Sequence, residues 1–469
     1  MGTDLPLHLR AIVGDDYVRI DHKSRETYGM DALQRGRLAD AVVLPADTKQ
    51  VSEICRLCSE TQTPIVPRGA GSGFSGGAVP MHGGVVISLE RLNRILEIDE
   101  RNLLAIVQPN VITGDLQDAV ERLGLFYPPD PSSLRQSAIG GNVAECAGGP
   151  RAFKYGVTKQ YVLGLEAVLP NGEIIRTGGK VVKNVVGYDL THLLVGSEGT
   201  LAILTEIILR LIPKPPVQAT LRATFPSVTV AVDAVSRLIQ ARVVPAALEL
   251  IDGDCLEAVA SYLSVRSLAP AGTGALLLIE VDGLSEQVRG EADRVEVACR
   301  DAGATELLRA HTDAERQELW RVRRELSPSL QVISPLKYNH DVVVPKSRIP
   351  DLFALVDELR QRFGLRIPCF GHVGDGNIHV NIMVSPDDLD GIRRAHEAEF
   401  ALFTGVVGLE GSISGEHGIG FTKAKYLGLE LTPESIALMK RIKKAFDPDG
   451  ILNPGKIFPD DVPVVLEAR

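Results

Sequence analysis

Two short stretches near the C-terminus carry the side chains best suited to chemistry, GHVGDGNIHVN at residues 371–381 and SGEHG at residues 414–418. They hold His372, His379, Glu416 and His417 among glycines that leave the backbone free to bend. His379 and Asn381 are two apart in the alternating run HVNIMV, so both project from one face of a strand. His372 is expected just before that strand, on the turn formed by Gly374, Asp375 and Gly376. Imidazole nitrogen and carboxylate oxygen suit a divalent ion, zinc above all, with manganese or iron as alternatives. A catalytic ion needs three protein ligands and an open position. His372, His379 and Glu416 supply such a set. His417 then stands beside the open position, where a proton-abstracting group belongs. The competing reading is a group of hydrogen-bonded core histidines, because two histidines at this spacing match no zinc signature by themselves. Asp375 is a rival ligand, although a place between glycines suits a turn equally well.

Elements on several scales must position these groups. A chain of 469 residues exceeds the size at which one core keeps growing, so two or three domains are expected. An apolar content of 45% and a charged content of 23% are those of an ordinary soluble protein. A net charge of -10 and the lack of a long basic run argue against nucleic-acid binding. No apolar stretch approaches membrane-spanning length, and the start MGTDLPLHLRAIVGDD has neither a basic nor an apolar leader region. The expected location is cytoplasmic, with any membrane association made through a partner. Six cysteines in this length suggest no disulfide framework. Cys55 and Cys58 form a CxxC, but their segment reads as an amphipathic helix after the cap-like Asp47-Thr48, which favours packing over redox chemistry.

From Ala41 the pattern runs strand, helix (48–61), strand (PIVP), then the glycine-rich loop at 68–77, then the strand VVISL. Gly71, Gly73 and Gly76 make a literal GxGxxG, which invites a dinucleotide fingerprint. That fingerprint requires a helix directly after the glycines, and here Pro80, Gly83 and Gly84 follow instead. What remains is a nest of backbone N–H groups able to wrap a phosphate. Further loops come at 127–133 (YPPDPSS), 140–142 (GGN), 147–149 (AGG) and 196–200 (GSEGT), separated by strand-like runs such as LEAVLP and LAILTEIILRL. Each alone is a plausible turn; together they describe one extended ligand threaded between backbones. The PKPP at 213–216 marks a domain boundary. Beyond it helices at 228–241, 285–302, 312–332 and 348–363 alternate with strands LLLIEV and DVVVP and the strand of His379, an α+β domain whose antiparallel sheet is covered by helices on one face; helices at 388–407 and 433–445, with the SGEHG loop between them, lead to the tail.

Seven motifs occur in order: PRGAGSGFSGG, PPDPSS, GGNVAECAGGP, GSEGTLAI, GHVGDGNIHVN, SGEHGIG and FDPDGILNPGKIF. Together they resemble the FAD-linked oxidase family of the vanillyl-alcohol-oxidase type, over about residues 40–460. Within it they are similar to D-lactate dehydrogenases, the FAD subunit of glycolate oxidase and D-2-hydroxyglutarate dehydrogenases. The resemblance implies an α+β, two-domain FAD-binding fold with a cap. Its FAD domain spans 1–214 (core 40–214), its substrate or cap domain 215–420 with the metal residues, and 421–469 returns to the FAD domain. It implies FAD held by Pro67, Arg68, Gly69, Ala70, Gly71, Ser72, Gly73, Ser75 and Gly76, and by Pro129, Asp130, Ser132, Ser133, Gly140, Asn142, Gly149, Glu198, Gly199 and Ile203, with Asn453 and Lys456 from the tail. Some relatives attach the flavin through a histidine in the first glycine loop; none is present there, so noncovalent FAD is expected.

The resemblance also implies the ligand set His372, His379 and Glu416, with His417 as base. The implied activity is oxidation of a D-2-hydroxy acid to the 2-oxo acid by hydride transfer to flavin N5. Arg323 is the expected partner of the substrate carboxylate, because a guanidinium binds it in a bidentate fork; the alternative is a solvated helix charge, since Arg321 and Arg324 flank it. Lys337 and Asn381 are the other expected substrate contacts. One departure concerns the KYD motif of 2-hydroxyglutarate dehydrogenases: here the stretch is KYNHD at 337–341, with Asn339 nearest the position of that lysine and Lys337 one turn away. This leans toward D-lactate or glycolate. The acceptor is left open among a quinone, a cytochrome, an electron-transfer flavoprotein and an iron-sulfur subunit. No cluster-type cysteine motif is present, so an iron-sulfur centre would lie on another chain. A homodimer and a metal-free oxidase of the same fold also stay open.

Overall fold

Runs of β-branched residues punctuated by glycine and proline set the strands, and the chain sorts into two units. The computed structural model describes residues 5–265, 268–458 and 467–468; most of the tail after residue 458 lies outside them. One unit comprises Met1–Gly148, Val157–Lys214 and Glu416–Arg469, the other Gly149–Gly156 and Pro215–Gly415. The change at Lys214 falls inside the proline-rich 213–216 segment. Two details differ from the expected division: residues 149–156 group with the second unit, and the first resumes at Glu416.

In the first unit, Ala41–Val43 and Ile65–Arg68 both pair parallel with the central Val85–Ser88, and Val18–Arg19 pairs antiparallel on the outside. Helix Thr48–Glu60 links two of these strands and is capped by Asp47, whose side chain accepts from the Gln50 N–H. Its apolar face, Val51, Ile54, Cys55 and Cys58, enters one core with Ile65, Val85, Ile87 and Leu452. Both thiols are therefore packing groups, and burial pushes that of Cys58 up to about 12. No helix opens between Arg68 and Val85, in keeping with the rejection of a dinucleotide fingerprint. A second, antiparallel sheet runs in the order Ile174–Gly178, Val162–Val168, Ile203–Arg210, Leu104–Val107, Ile95–Asp99. The tail returns to this unit, where Asn453 N donates to Ile65 O at 2.7 Å.

Two local expectations are corrected. Residues 140–142 are not a loop but the first turn of the short helix Ile139–Glu145, because Ile139 and Val143, one turn apart, are both buried and anchor it. The expected helix at 312–332 is broken into Asp313–Arg324, Leu326–Ser329 and a 3-10 turn at Leu330–Val332. Pro328 has no N–H to offer, and its ring opposes the carbonyl of Arg324.

The second unit is built on seven strands: β1 (Val217–Phe225), β2 (Ala247–Asp252), β3 (Ala275–Gly283), β4 (Glu306–Arg309), β5 (Leu336–Val343), β6 (Cys369–His372) and β7 (Asn377–Val384). They are antiparallel throughout, in the order β4-β1-β3-β2-β6-β7-β5. Ile251, Leu276, Leu278, Phe370 and Met383 share one core with helices Gly253–Tyr262, Asp313–Arg324 and Leu326–Ser329. Leu250, Leu277, Ile279, Ile378, Val380 and Ile382 alternate with these strand residues and point to the opposite side. Helices Val228–Gln240, Ser285–Asp301 and Leu389–Gly408 also pack on the sheet.

Asp252 locks the end of β2. Its carboxylate accepts from Cys255 N (2.9 Å), capping the next helix, from Cys369 N (2.8 Å) at the start of β6, and from Arg360 Nη2 (2.9 Å). Asp252→Ala leaves Cys255 N and Cys369 N without this acceptor and removes the buried carboxylate partner of Arg360, and should lower the unfolding free energy by about 3 kcal/mol in urea titrations. A second test concerns Asp31, which accepts from Leu33 N (3.0 Å) and from Gly76 N (2.8 Å) in the glycine-rich loop. Burial pushes its carboxyl up to about 6, against the opposing effect of those two donors. A raised carboxyl favours the folded state below the unfolded value of 3.8, and that advantage is lost as pH rises through about 6. The loss amounts to roughly 3 kcal/mol at most. Asp31→Asn should therefore show a smaller fall in thermal stability between pH 4 and 7 than the wild type; equal falls would refute the assignment.

Candidate active site

The β6–β7 hairpin carries the expected histidines. Gly376 sits at φ +92° with its α-carbon so close to Val344 that a Cβ would lie 2.1 Å from the carbonyl oxygen, so the turn requires glycine. His372 closes β6 instead of lying on the turn, because pairing with Asn377 continues to that residue. Asp375 serves the turn, its Oδ1 accepting from Asn377 N at 3.2 Å. The register sets Phe370 opposite His379 and Glu249 opposite His372, so all of these side chains share a face. The two imidazole rings lie 5.5 Å apart at 81°. On the other side of β7, Asp341 is opposite His379, and it accepts from Gly415 N at 2.9 Å through Oδ2.

Glu416 follows Gly415 by one peptide bond, so the chain itself delivers it to this edge. One ligand atom from each of His372, His379 and Glu416 lies within 4.8 Å of the others. A divalent ion takes such donors at about 2 Å each. Two imidazoles and a carboxylate with this spacing fit a divalent ion. The fit extends outward. Glu249 is fully buried, its Oε1 lies 2.6 Å from His372 Nδ1, and its Oε2 accepts from Arg323 Nε. Burial by itself would raise this carboxyl, but His372 and Arg323 beside it prevail and hold it at about 2.

Arg323 is consequently no solvated helix charge. It is 5% exposed, its guanidinium lies over the Phe370 ring at 5.0 Å, and its Nη2 is buried with no hydrogen-bond partner among the described residues. Sequence reasoning missed Glu249. The signal was available in ALELID at 247–252, where a glutamate interrupts a strand otherwise apolar up to its end, and a buried carboxylate requires a cation. Lys337 lies on β5, so it is two strand residues from Asn339 and on the same face, not one helical turn away. Its Nζ donates to Ser327 Oγ at 2.8 Å, and burial pushes its pKa down. Asn381 is fully buried. It accepts from Asn339 Nδ2 at 2.7 Å and donates to the Pro368 and His379 carbonyls at 3.2 Å, which leaves Asn339 Oδ1 as the buried acceptor without a partner among the described residues.

The glycine loops of the first unit converge on Gly69. A Cβ there would lie 3.6 Å from Ala138 Cβ, 3.8 Å from Gly141 N and 3.9 Å from Asn110 Oδ1, a buried acceptor without a partner among the described residues. A Cβ on Gly199 would meet Pro67 at 2.7 Å. Loops 68–77, 138–142 and 196–200 thus form a backbone cradle of the kind that fits a phosphate-bearing cofactor. Several of the expected contacts shape it from behind. Arg68 donates to Met30 O, Asn142 Nδ2 to Thr113 Oγ1 at 2.6 Å, and Lys456 Nζ to Val79 O at 2.6 Å. Asn453 Nδ2 donates to both Gly77 O and Glu198 O at 2.9 Å.

Glu198 in turn accepts from Ile419 N (2.8 Å) and Gly420 N (2.6 Å); burial raises its pKa against these donors. Ile203 is buried in the apolar core, Pro129 O accepts from Gln117 Nε2, and Ser132 is exposed. Ala70, Gly71, Ser72 and Gly73 form the more open rim, whereas Ser75 and Gly76 are buried. Gly149 belongs to the segment that groups with the second unit. His417 lies against this loop, with its ring 5.6 Å from Phe74 and its Nε2 3.7 Å from Glu416 Oε1.

Comparison with known proteins matches residues 39–178 to the FAD binding domain model and residues 214–457 to the model for FAD linked oxidases, C-terminal domain. The chain is 43% identical over 459 residues to the glycolate oxidase subunit GlcD of Bacillus subtilis, covering 98% of this chain and 97% of that protein. It is 36% identical over 456 residues to a D-lactate dehydrogenase of Anaerostipes hadrus, covering 96% and 94%. Among solved structures, p-cresol methylhydroxylase superposes with a TM-score of 0.79 at 19% identity, covering 97% of this chain and 96% of that one. The 4-ethylphenol oxidase of Gulosibacter chungangensis gives 0.75 at 21% identity, covering 97% of each. These likenesses bear out the fold of the vanillyl-alcohol-oxidase type. With both domain models matched and relatives aligned over nearly their whole length, the chain belongs to the FAD-linked oxidases and is an FAD-dependent oxidoreductase.

Proposed function

We propose that the protein oxidises a short D-2-hydroxy acid, D-lactate or glycolate, to the 2-oxo acid with noncovalent FAD and a divalent ion, zinc in the first instance. The observation that carries this reading is the joining of a metal donor set to a buried guanidinium through one carboxylate, His372–Glu249–Arg323. A 2-hydroxy acid has its hydroxyl and carboxylate on adjacent carbons, and such a pair of groups matches it. The names of the two relatives above, a glycolate oxidase subunit and a D-lactate dehydrogenase, support the same class.

When bound, FAD accepts the α-hydrogen with its electron pair, and the divalent ion acts as a Lewis acid on the substrate hydroxyl. Arg323 Nη2 is the donor left to receive the substrate carboxylate. His417 Nε2 takes up the hydroxyl proton, leaving the C–O bond to become a carbonyl. His372, His379 and Glu416 would hold the ion. The cradle around Gly69 would hold the FAD pyrophosphate, and Asp130, Ser133 and Gly140 would line the remaining cofactor. Binding D-2-hydroxyglutarate instead would require Lys337 to leave Ser327 in a setting where burial disfavours its charge, which supports the monocarboxylate. A second reading is that the chain passes its electrons to a partner, an iron-sulfur subunit; the word subunit in a relative's name supports a partner chain but does not name its cofactor. Among the described residues no helix is long and apolar enough to cross a membrane.

Anaerobic titration of the flavin absorbance against D- and L-2-hydroxy acids should show bleaching by D-lactate or glycolate. Glu416→Ala and His417→Ala should slow that bleaching by about 100-fold or more while retaining FAD. Fast bleaching in both variants removes the assigned roles. Chelation followed by metal analysis should abolish turnover, with recovery on adding zinc, manganese or iron; metal-free protein with full activity would refute the metal.

A further inference from the structure

Glu249 is in contact with both halves of the proposed substrate site, His372 and Arg323, and no motif pointed to it. It lies on β2 with its side chain inaccessible to water, and its two oxygens are divided between His372 Nδ1 and Arg323 Nε. The division has a consequence for each partner. An imidazole that donates its Nδ1–H to a carboxylate keeps the lone pair of Nε2 for a metal, and the carboxylate fixes the ring's orientation. A guanidinium held through Nε, with its plane set over the Phe370 ring, presents its Nη2 edge in one direction. We propose that Glu249 is a positioning residue that couples the metal donor set to the substrate-carboxylate clamp, fixing the ligating nitrogen of His372 and the unpaired Nη2 edge of Arg323 together.

This assignment rests on the hydroxy-acid reading given above and adds a residue to it. Substitution by glutamine cannot serve both partners, because an amide has one acceptor oxygen where the carboxylate has two. Substitution by aspartate keeps the buried negative charge, so the fold retains its compensation for Arg323, but the shorter side chain cannot reach both donors.

The test uses the FAD-loaded full chain and zinc ion as the probe, with affinity read by competition against a chromogenic chelator. Glu249→Gln and Glu249→Asp should each weaken zinc binding by at least about tenfold and raise KM for D-lactate or glycolate. FAD content should stay as in the wild type, and the Glu249→Asp unfolding midpoint should stay near it. Should Glu249→Gln fail to fold, Glu249→Asp alone decides. Zinc affinity within about twofold of wild type in Glu249→Asp overturns the coupling role and leaves the hydroxy-acid reading standing. A wild type that binds no zinc overturns the coupling role as stated, whereas the hydroxy-acid reading falls only if D-lactate and glycolate also fail to bleach the flavin.

Discussion

A carboxylate cut off from water stays ionised only if cations stand against it, and in the second unit that constraint organises the polar face of the sheet. Glu249 is opposite His372 by strand register and beneath Arg323 by the placement of the preceding helix. Remove Arg323 and an uncompensated charge is left in an apolar interior, at a cost of several kcal/mol; remove His372 and a buried acceptor loses its partner. The sheet register, the end of helix Asp313–Arg324 and the orientation of His372 are therefore tied to one another. The break at Pro328 belongs to the same arrangement, because the turn after Arg324 brings Ser327 to Lys337.

The first unit solves a different problem, the holding of several glycine-rich loops that have no regular structure of their own. Buried polar side chains do this by bonding to backbone groups: Asp31 to Gly76, Glu198 to Ile419 and Gly420, Asn453 to Gly77 and Glu198. Each such bond replaces a ladder partner that the loop lacks, as buried backbone groups require. Gly73 and Gly141 face open space, whereas at Gly71 and Gly76 a Cβ would meet Arg68 and Phe421. Several residues expected to touch the cofactor thus contribute by shaping its backbone seat.

Much of this was legible in the sequence because local rules acted alone. The cap at Asp47, the helices at 48–61, 228–241 and 348–363, the boundary near Pro213 and the absence of a helix after the glycine loop all follow from propensity, capping and proline chemistry. Local rules misjudged 140–142, where two glycines suggest a loop but burial of Ile139 and Val143 favours a helical turn. They also misjudged 312–332, where the helix stops at Arg324, the residue whose carbonyl Pro328 cannot satisfy, and resumes as the short turn Leu326–Ser329.

By itself, then, the sequence determined the kinds of chemistry available: the histidines, glutamate and arginine, the glycine loops, and the strand that puts His379 and Asn381 on one face. These are properties of neighbours a few residues apart. Only the tertiary structure decided that Glu249 joins His372 to Arg323, that Lys337 is held by Ser327, and that Asp341 anchors Gly415 next to Glu416. Those partners are separated by 10 to 123 residues, and strand register across the seven-stranded sheet, which no local pattern encodes, brings most of them together.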